Sequence, residues 1–233
     1  MVVHGIRLLL EQRDGFCIVK IDLRNAFNSV SRSGMLRRLR RHPRLAHLCP
    51  LLHALLSCET ELRVGHDRRC LFEDEPRVGS SEGTQQGMPQ SMLAFCVAIQ
   101  PELEALDREL GCVGGCARAI ADDVMAVGPA QVVFPAVLHF LSALRESVGL
   151  EAQLAKFQCW SSSYDLASCP YRSRAGVPVS FVASPESGAR MHGVMVGGVP
   201  LGEPAYVRHV LAELSAEIVS YVSSTMDDGA APV

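Results

Sequence analysis

The stretch 119–127, AIADDVMAV, sets two adjacent aspartates, Asp122 and Asp123, between two short apolar arms. An acidic pair often marks a plain turn, because aspartate side chains hydrogen-bond to the backbone nearby. This turn lacks the glycine or asparagine expected of a tight hairpin, however, and its flanks are apolar enough to bury much of it. Two neighbouring carboxylates in such a place repel each other unless cations compensate. The stretch therefore predicts a hairpin that is either a structural turn or a cation-binding site.

A third carboxylate, Asp22, lies in the apolar run 16–23, FCIVKIDL. The run is compact and contains β-branched residues, which predicts a buried strand. Magnesium prefers oxygen ligands, and two such ions can clamp the attacking and leaving oxygens of phosphoryl transfer. Asp22 would share both ions with Asp122 if the strand met the hairpin, with Asp123 as an outer or alternating ligand. Spacing alone leaves that meeting open.

The remaining patterns predict helices and further hairpins. Ser31 or Ser33 is expected to cap a helix that ends at Pro43, and Gly149 is a good signal for the end of another. The other expected elements are a buried helix over 45–57, a hairpin pairing 62–64 with 70–72, helices over 89–110 and 130–148, a strand over 150–160, a loop over 161–189, a hairpin over 193–202, and a helix over 205–222 with a frayed tail after it. Strands and helices alternate but hairpins interrupt them, so an α+β fold is favoured over a doubly wound parallel sheet.

Length and composition indicate one globular domain, with at most a short appendage. The 233 residues carry a formal net charge of −3, although arginines crowd the segment 37–44. That cluster is either a solvated helix face or a nucleic-acid contact. The apolar run 6–10 is too short to span a membrane, so a soluble chain without a membrane partner is expected. The nine cysteines show no zinc spacing and are expected to be buried, reduced thiols of an intracellular protein, in either nucleus or cytoplasm.

Five segments, in order, resemble the motifs of reverse transcriptases, especially those of non-LTR retrotransposons. They are KIDLRNAFNSVSR (20–32), EGTQQGMPQS (82–91), AIADD (119–123), GLEAQLAKF (149–157) and GGVPLGEPAYV (197–207). The resemblance implies an RNA-directed DNA polymerase whose palm is an antiparallel sheet with helices packed on one face. It assigns 1–207 to a palm with the fingers largely missing, and 208–233 to the start of a thumb or connector helix and a frayed tail. Ile120 and Met88 depart from the residues usual in the family.

The resemblance also implies roles for single residues. Asp22, Asp122, Asp123 and the backbone carbonyl of Leu23 would bind two Mg²⁺ or Mn²⁺ ions. Lys156 would protonate or neutralise the departing pyrophosphate, although a lone lysine is more often a solvated surface charge.

The residues implied to contact the nucleotide are Leu23, Phe27, Gln86, Gly87 and Pro89. Phe27 would exclude the ribose 2′-hydroxyl by bulk, or is an ordinary core aromatic. The implied partners are an RNA template, a DNA primer and a deoxynucleoside triphosphate. The alternatives are an inactive, truncated remnant of a retroelement that keeps the palm fold, and an unrelated polymerase or cyclase on the same fold. Template choice and oligomeric state are open.

Overall fold

The computed structural model describes residues 2–57, 60–63, 77–84 and 88–227. The helices in these ranges are α1 (Val2–Gln12), α2 (Ala26–Ser29), α3 (Arg32–Arg41), α4 (Cys49–Leu56), α5 (Pro89–Gly111), α6 (Ala130–Val148), α7 (Pro170–Ala175) and α8 (Pro204–Asp227). The strands are β1 (Phe16–Ile21), β2 (Thr60–Arg63), β3 (Arg77–Ser80), β4 (Cys116–Ile120), β5 (Asp123–Pro129), β6 (Gln158–Trp160), β7 (Phe181–Ala183), β8 (Arg190–Val196) and β9 (Val199–Gly202).

A four-stranded antiparallel sheet with the order β4-β5-β1-β6 forms the centre of the fold. β1 is central because nearly all of its side chains are apolar and buried, and such a strand needs a neighbour on each edge. Its register with β5 runs from Phe16 opposite Pro129 to Ile21 opposite Val124. The α+β fold with an antiparallel sheet, expected from the alternation of patterns, is confirmed.

The larger core lies between this sheet and the helices α3, α5 and α6. Val19 and Ile21 of β1 pack there with Phe95 of α5 and Phe134 of α6. The opposite face of the sheet is also covered. Ile18 of β1 lies in a second cluster with residues of α1 and of the three-stranded sheet β7-β8-β9. Helices α3, α5 and α6 therefore pack on one face, as expected. The other face is covered by helix α1 together with the smaller sheet.

Several helix ends and turns that the sequence predicts are present in the structure. The Ser31 hydroxyl accepts a hydrogen bond from the Gly34 amide at 3.2 Å and so caps α3. α6 ends at Gly149, whose φ of 72° is left-handed. The expected hairpin over 193–202 is the β8–β9 pair, with Gly193 opposite Gly202.

Other local predictions are wrong in part. Only Gln158–Trp160 of the expected strand over 150–160 is a strand, because the chain first makes a 3₁₀ turn at Leu154–Lys156. Residues 161–189 are mostly loop, as expected, and contain the short elements α7 and β7. β2 pairs with β3. The expected pairing of 62–64 with 70–72 lies outside the described residues.

The C-terminal helix α8 is longer than predicted. It continues past the expected frayed end at Ser223 as far as Asp227, and it crosses the expected domain boundary between Val207 and Arg208 without a break. The division into palm and thumb stays a prediction. None of the helices within the described ranges combines the length and apolar character needed to cross a lipid bilayer.

Candidate functional site

The register of the central sheet brings Asp22 to the aspartate hairpin. Ile21 and Val124 form the last pair between β1 and β5, so the next residue on each strand is Asp22 and Asp123. Residues opposite each other on antiparallel strands lie about 4.5–5.5 Å apart. Two segments a hundred residues apart in sequence therefore place carboxylates at the same end of one sheet.

The hairpin itself holds an unfavourable backbone conformation. Ile120 pairs with Asp123, which leaves Ala121 and Asp122 as a two-residue turn between β4 and β5. Ala121 has a φ of 57°, in the left-handed region that residues with a Cβ rarely adopt. Strained residues of this kind concentrate at functional sites, where the surrounding structure holds them in place. From the sequence, a glycine or asparagine is expected in a tight hairpin. The structure forms the tight turn with neither residue, because Ala121 adopts the left-handed conformation itself.

Asp123 has a cationic partner that the sequence analysis did not select. The Lys20 Nζ lies 3.2 Å from the Asp123 Oδ1. Lys20 stands two residues before Asp22, and side chains two apart on a strand share a face of the sheet. A lysine inside an otherwise apolar strand was the available signal. The ion pair neutralises one of the three carboxylates.

The backbone around Leu23 directs a carbonyl toward the hairpin. The Asp22 carbonyl accepts a hydrogen bond from the Gln153 amide at 2.9 Å, and the Arg24 amide donates to the Glu151 carbonyl at 2.8 Å. Successive carbonyls of an extended chain point to opposite sides. The Leu23 carbonyl therefore faces the side on which β5 and the aspartate turn lie.

Lys156 lies in the same groove as Asp22. It ends the 3₁₀ turn before β6, its side chain is exposed, and it has no ion-pair partner among the described residues. Lys20, Asp22 and Lys156 line one cavity of about 460 Å³. The structure therefore brings together the first aspartate and the predicted catalytic lysine.

Phe27 is directed into the core beside the site. It lies in α2, which follows Asn25 with a left-handed φ of 44°. Its side chain is 8% exposed, and its ring centroid is 4.7 Å from that of Phe95. This packing fits the core-aromatic interpretation, and it leaves only a small part of the side chain exposed.

The second motif is attached to the first by a glycine and a buried arginine. The Arg32 Nε donates to the Gly83 carbonyl at 2.8 Å, and the Gly83 amide donates to the Val30 carbonyl at 3.0 Å. A Cβ on Gly83 would lie 2.3 Å from the carbonyl atoms of Asn28, so only glycine fits. Arg32 was missed because it stands in a run of polar residues with no local sign of burial.

The rest of the second motif is only partly described. Pro89 begins α5, a position that suits proline because it has no amide hydrogen to leave unsatisfied. Gln86 and Gly87 lie outside the described residues. Their predicted contact with the nucleotide stays a prediction, as do the roles of the other site residues.

The side chains do not form a ready metal site. Within the described ranges, no three His, Cys, Asp or Glu side chains are grouped closely enough to hold a metal ion. The donor set at the end of the sheet nevertheless consists of oxygens alone, namely three carboxylates and the Leu23 carbonyl. Oxygen donors suit Mg²⁺ and Mn²⁺.

The cysteines within the described ranges differ in burial. Burial raises the pKa of the Cys17 thiol far above its ordinary range, and burial raises the pKa of Cys159 to about 11. Cys49 and Cys169 are also buried, as expected. Cys96 and Cys112 are exposed and Cys116 is half-buried, so the expectation of buried thiols is wrong for these three.

Comparison with known proteins gives a likeness of fold alone. No family profile matches the sequence, and no curated protein matches it. Apo telomerase from Candida tropicalis matches with a TM-score of 0.51 at 9% identity, over 72% of this chain and 32% of that one. The same enzyme truncated from its C-terminal domain gives a TM-score of 0.49 at 10% identity, over 71% and 34%. Telomerase from Candida albicans with a TWJ fragment of telomeric RNA gives 0.43 at 14%, over 70% and 30%.

This chain spans about a third of the length of the telomerase chains that it resembles. Telomerase is a reverse-transcriptase-related enzyme, and the first likeness extends over most of the present chain. The chain therefore has an α+β, reverse-transcriptase-like polymerase fold.

Proposed function

We propose that this chain is the palm of an RNA-directed DNA polymerase, with the 3′-hydroxyl of a DNA primer as nucleophile and a deoxynucleoside triphosphate as substrate. The observation that carries the proposal is the meeting of Asp22 with the Asp122–Asp123 hairpin at one end of the central sheet. An apolar sheet has no structural need for three carboxylates at one end, because they repel one another there. Bound cations would offset this repulsion.

Asp22, Asp122 and the Leu23 carbonyl are the proposed ligands of two Mg²⁺ or Mn²⁺ ions. When bound, such ions lower the pKa of the primer hydroxyl and neutralise charge on the phosphates. Asp123 is held by Lys20 and would act as an outer ligand that alternates between the lysine and a cation. The roles of these residues follow from the motif order, and the sheet register supports them.

Lys156 and Phe27 have separate proposed roles in the reaction. The primer 3′-hydroxyl would lose its proton to water as its oxygen forms a bond to the α-phosphorus. The bond from that phosphorus to the bridging oxygen would break as pyrophosphate leaves. Lys156, exposed in the cavity that Asp22 lines, would give a proton to the departing pyrophosphate or neutralise its charge. Phe27 would meet the sugar at the edge of its ring. An RNA template would pair with the incoming base.

The more specific assignment to a non-LTR retrotransposon rests on the sequence motifs. The segment 20–32 resembles the first motif of that class in particular, and the five segments stand in the order of the reverse-transcriptase motifs. We further propose that 1–207 is the palm and that the part of α8 after Val207 begins the thumb or a connector. The fold resemblance supports a polymerase of this kind without selecting the class.

A second candidate is a catalytically inactive palm left from a degraded element. Two observations favour it: Lys20 already neutralises Asp123, and Phe27 is almost fully buried against Phe95. In that case the aspartates would be retained without binding metal. The fold would be the same, so only activity separates the two candidates.

Primer extension separates them. The purified chain is incubated with poly(A), oligo(dT), labelled dTTP and either Mg²⁺ or Mn²⁺, beside an Asp122→Asn/Asp123→Asn variant. An Asp14→Asn variant, changed at an exposed aspartate outside the site, is the matched control. Incorporation by the wild type and the control, but not by the double variant, is the expected result. Incorporation by the double variant would overturn the proposal, and no incorporation by any correctly folded chain would favour the inactive palm.

A further inference from the structure

The charge of the chain is unevenly distributed in a way that the proposed site does not use. Residues 23–58 contain seven arginines and no aspartate or glutamate, although the whole chain has a net charge of −3. The remainder of the chain is therefore strongly acidic. A cationic segment this long in an acidic protein produces a local positive field despite the overall sign.

Three of the seven arginines have structural partners. Arg24 lies 3.5 Å from Glu151, and buried Arg32 binds the loop at Gly83. Arg38 forms a two-pronged pair with Glu102 of α5 and also donates to the Ala98 carbonyl. Both oxygens of Glu102 are thereby used, so this carboxylate is not free to neutralise another arginine.

The other four arginines form what we call the α3 basic patch: Arg37, Arg40, Arg41 and Arg44. All four are exposed, and within the described part of the chain none of them has an ion-pair partner. Met35 and Leu39 are buried on the inner side of α3, and the Arg38 pair fixes the rotation of the helix. Arg37, Arg40 and Arg41 are therefore held outward by the packing of α3, and Arg44 follows shortly after the end of that helix.

The patch is positioned for a long, negatively charged partner. Its four cations occupy eight consecutive residues, so the fields of neighbouring members of the patch add. Arginine forms two parallel hydrogen bonds with phosphate oxygens, which suits it to a phosphodiester backbone.

The patch is not part of the catalytic groove. α3 packs against α5 on the side of the sheet that holds Val19 and Ile21. Lys20 alternates with these residues along β1 and faces the other side, where it meets Asp123. A strand bound at the patch therefore contacts the protein at a second place.

We propose that the α3 basic patch binds the phosphate backbone of a nucleic-acid strand outside the catalytic groove. That this strand is the template RNA rests on the proposed function; the binding itself does not. Contacts of this kind give affinity without sequence preference, because phosphates carry no base information. The patch would hold template that is not yet paired in the groove.

The test is binding of a short labelled single-stranded RNA, followed by fluorescence anisotropy over a range of salt concentrations. The variant is Arg37→Gln/Arg40→Gln/Arg41→Gln/Arg44→Gln, in which glutamine keeps helix propensity. The matched control changes four exposed arginines elsewhere to glutamine, namely Arg13, Arg108, Arg145 and Arg174. Both variants lose the same charge, so only the position of the charge differs.

The patch variant is expected to bind about tenfold to a hundredfold more weakly at 0.1 M salt, with the slope of log affinity against log salt reduced by about 3. The control is expected to keep the slope of the wild type. Equal losses in both variants, or no loss in either, would overturn the proposal. Parallel measurements with duplex DNA and an RNA–DNA hybrid identify the strand that is held best.

Two further measurements distinguish nucleic acid from a membrane surface, and the patch from the proposed catalytic site. Tighter binding to vesicles containing anionic lipid than to any nucleic acid would overturn the proposal in favour of a membrane surface. The RNA measurement is repeated in the Asp122→Asn/Asp123→Asn background, where the effect of the patch is expected to persist. Failure of polymerisation and failure of patch binding are thus observed separately.

Discussion

Lys20 and Asp123 form an ion pair, Nζ to Oδ1 at 3.2 Å, across the two central strands of the sheet. The lysine side chain is mostly buried and the aspartate is about one-third exposed, so water screens the pair only in part. The pair fixes one carboxylate of the hairpin in the absence of metal. It also places a cation where a divalent ion would compete with it.

Replacing Lys20 by methionine should lower the free energy of unfolding in EDTA by about 1 kcal/mol, because Asp123 is left beside other carboxylates without its partner. Added Mg²⁺ should restore more stability to this variant than to the wild type. Urea denaturation with and without Mg²⁺ measures both effects. Lys156→Met, at an exposed lysine without an ion pair, is the control, and an equal response of the two variants would show that the pair does not hold the hairpin.

Gly83 is expected to tolerate no side chain. Gly83→Ala would set a Cβ 2.3 Å from the Asn28 carbonyl, whereas Gly188→Ala has nothing within 4 Å of its Cβ. The two glycines have similar left-handed φ angles of 71° and 66°, so backbone strain is matched. Gly83→Ala should cost about 2 kcal/mol more than Gly188→Ala by thermal or urea denaturation. Equal costs would mean that the contact between the first two motifs relaxes freely.

The Cys159 thiol should weaken the fold at alkaline pH. Its pKa is raised to about 11 by burial, so the unfolded chain gives up the proton first as the pH rises. The stabilisation is complete below about pH 9 and is lost as the pH approaches 11, an effect on the order of 2 kcal/mol. Cys159→Ala should flatten the fall of stability above pH 9. Cys112→Ala, at an exposed cysteine, should leave it as steep as in the wild type.

Substitution of Phe27 tests whether this ring selects deoxyribose over ribose. Phe27→Val should reduce the preference for dTTP over UTP by about tenfold or more, because the smaller side chain leaves room for the 2′-hydroxyl. Phe95→Val removes the stacking partner without shortening Phe27 and is the control for loss of packing. The ratio of kcat/KM for the two nucleotides is the measurement. An unchanged ratio in Phe27→Val would make this ring an ordinary core aromatic.

The local parts of the fold were predictable because they depend on near neighbours in sequence. The strand β1 follows from its apolar run, the cap of α3 from Ser31, and the end of α6 from Gly149. The 3₁₀ turn at Leu154–Lys156 was missed because it depends on hydrogen bonds between 151–153 and the distant segment after β1.

The site could be predicted because the motifs occur in a fixed order. That order indicates which residues lie close together, which their spacing in the sequence does not. The motif order indicated that Asp22 belongs with the hairpin, and the register of β1 with β5 supplies the physical reason. Lys20 and Arg32 were missed because their partners lie far away in sequence. Lysine and arginine are mostly exposed in proteins, so only the tertiary structure identifies the ones that are bound.

The most direct test of the central claim is whether Asp22 and Asp122 hold the same ions. Mn²⁺ binding is followed by electron paramagnetic resonance for the wild type, Asp22→Asn, Asp122→Asn and the control Asp14→Asn. Two bound ions in the wild type and the control, with both ions weakened by either substitution at the site, is the predicted result. Wild-type binding in Asp22→Asn and Asp122→Asn would contradict the account, because it would show that these two carboxylates do not form a metal site.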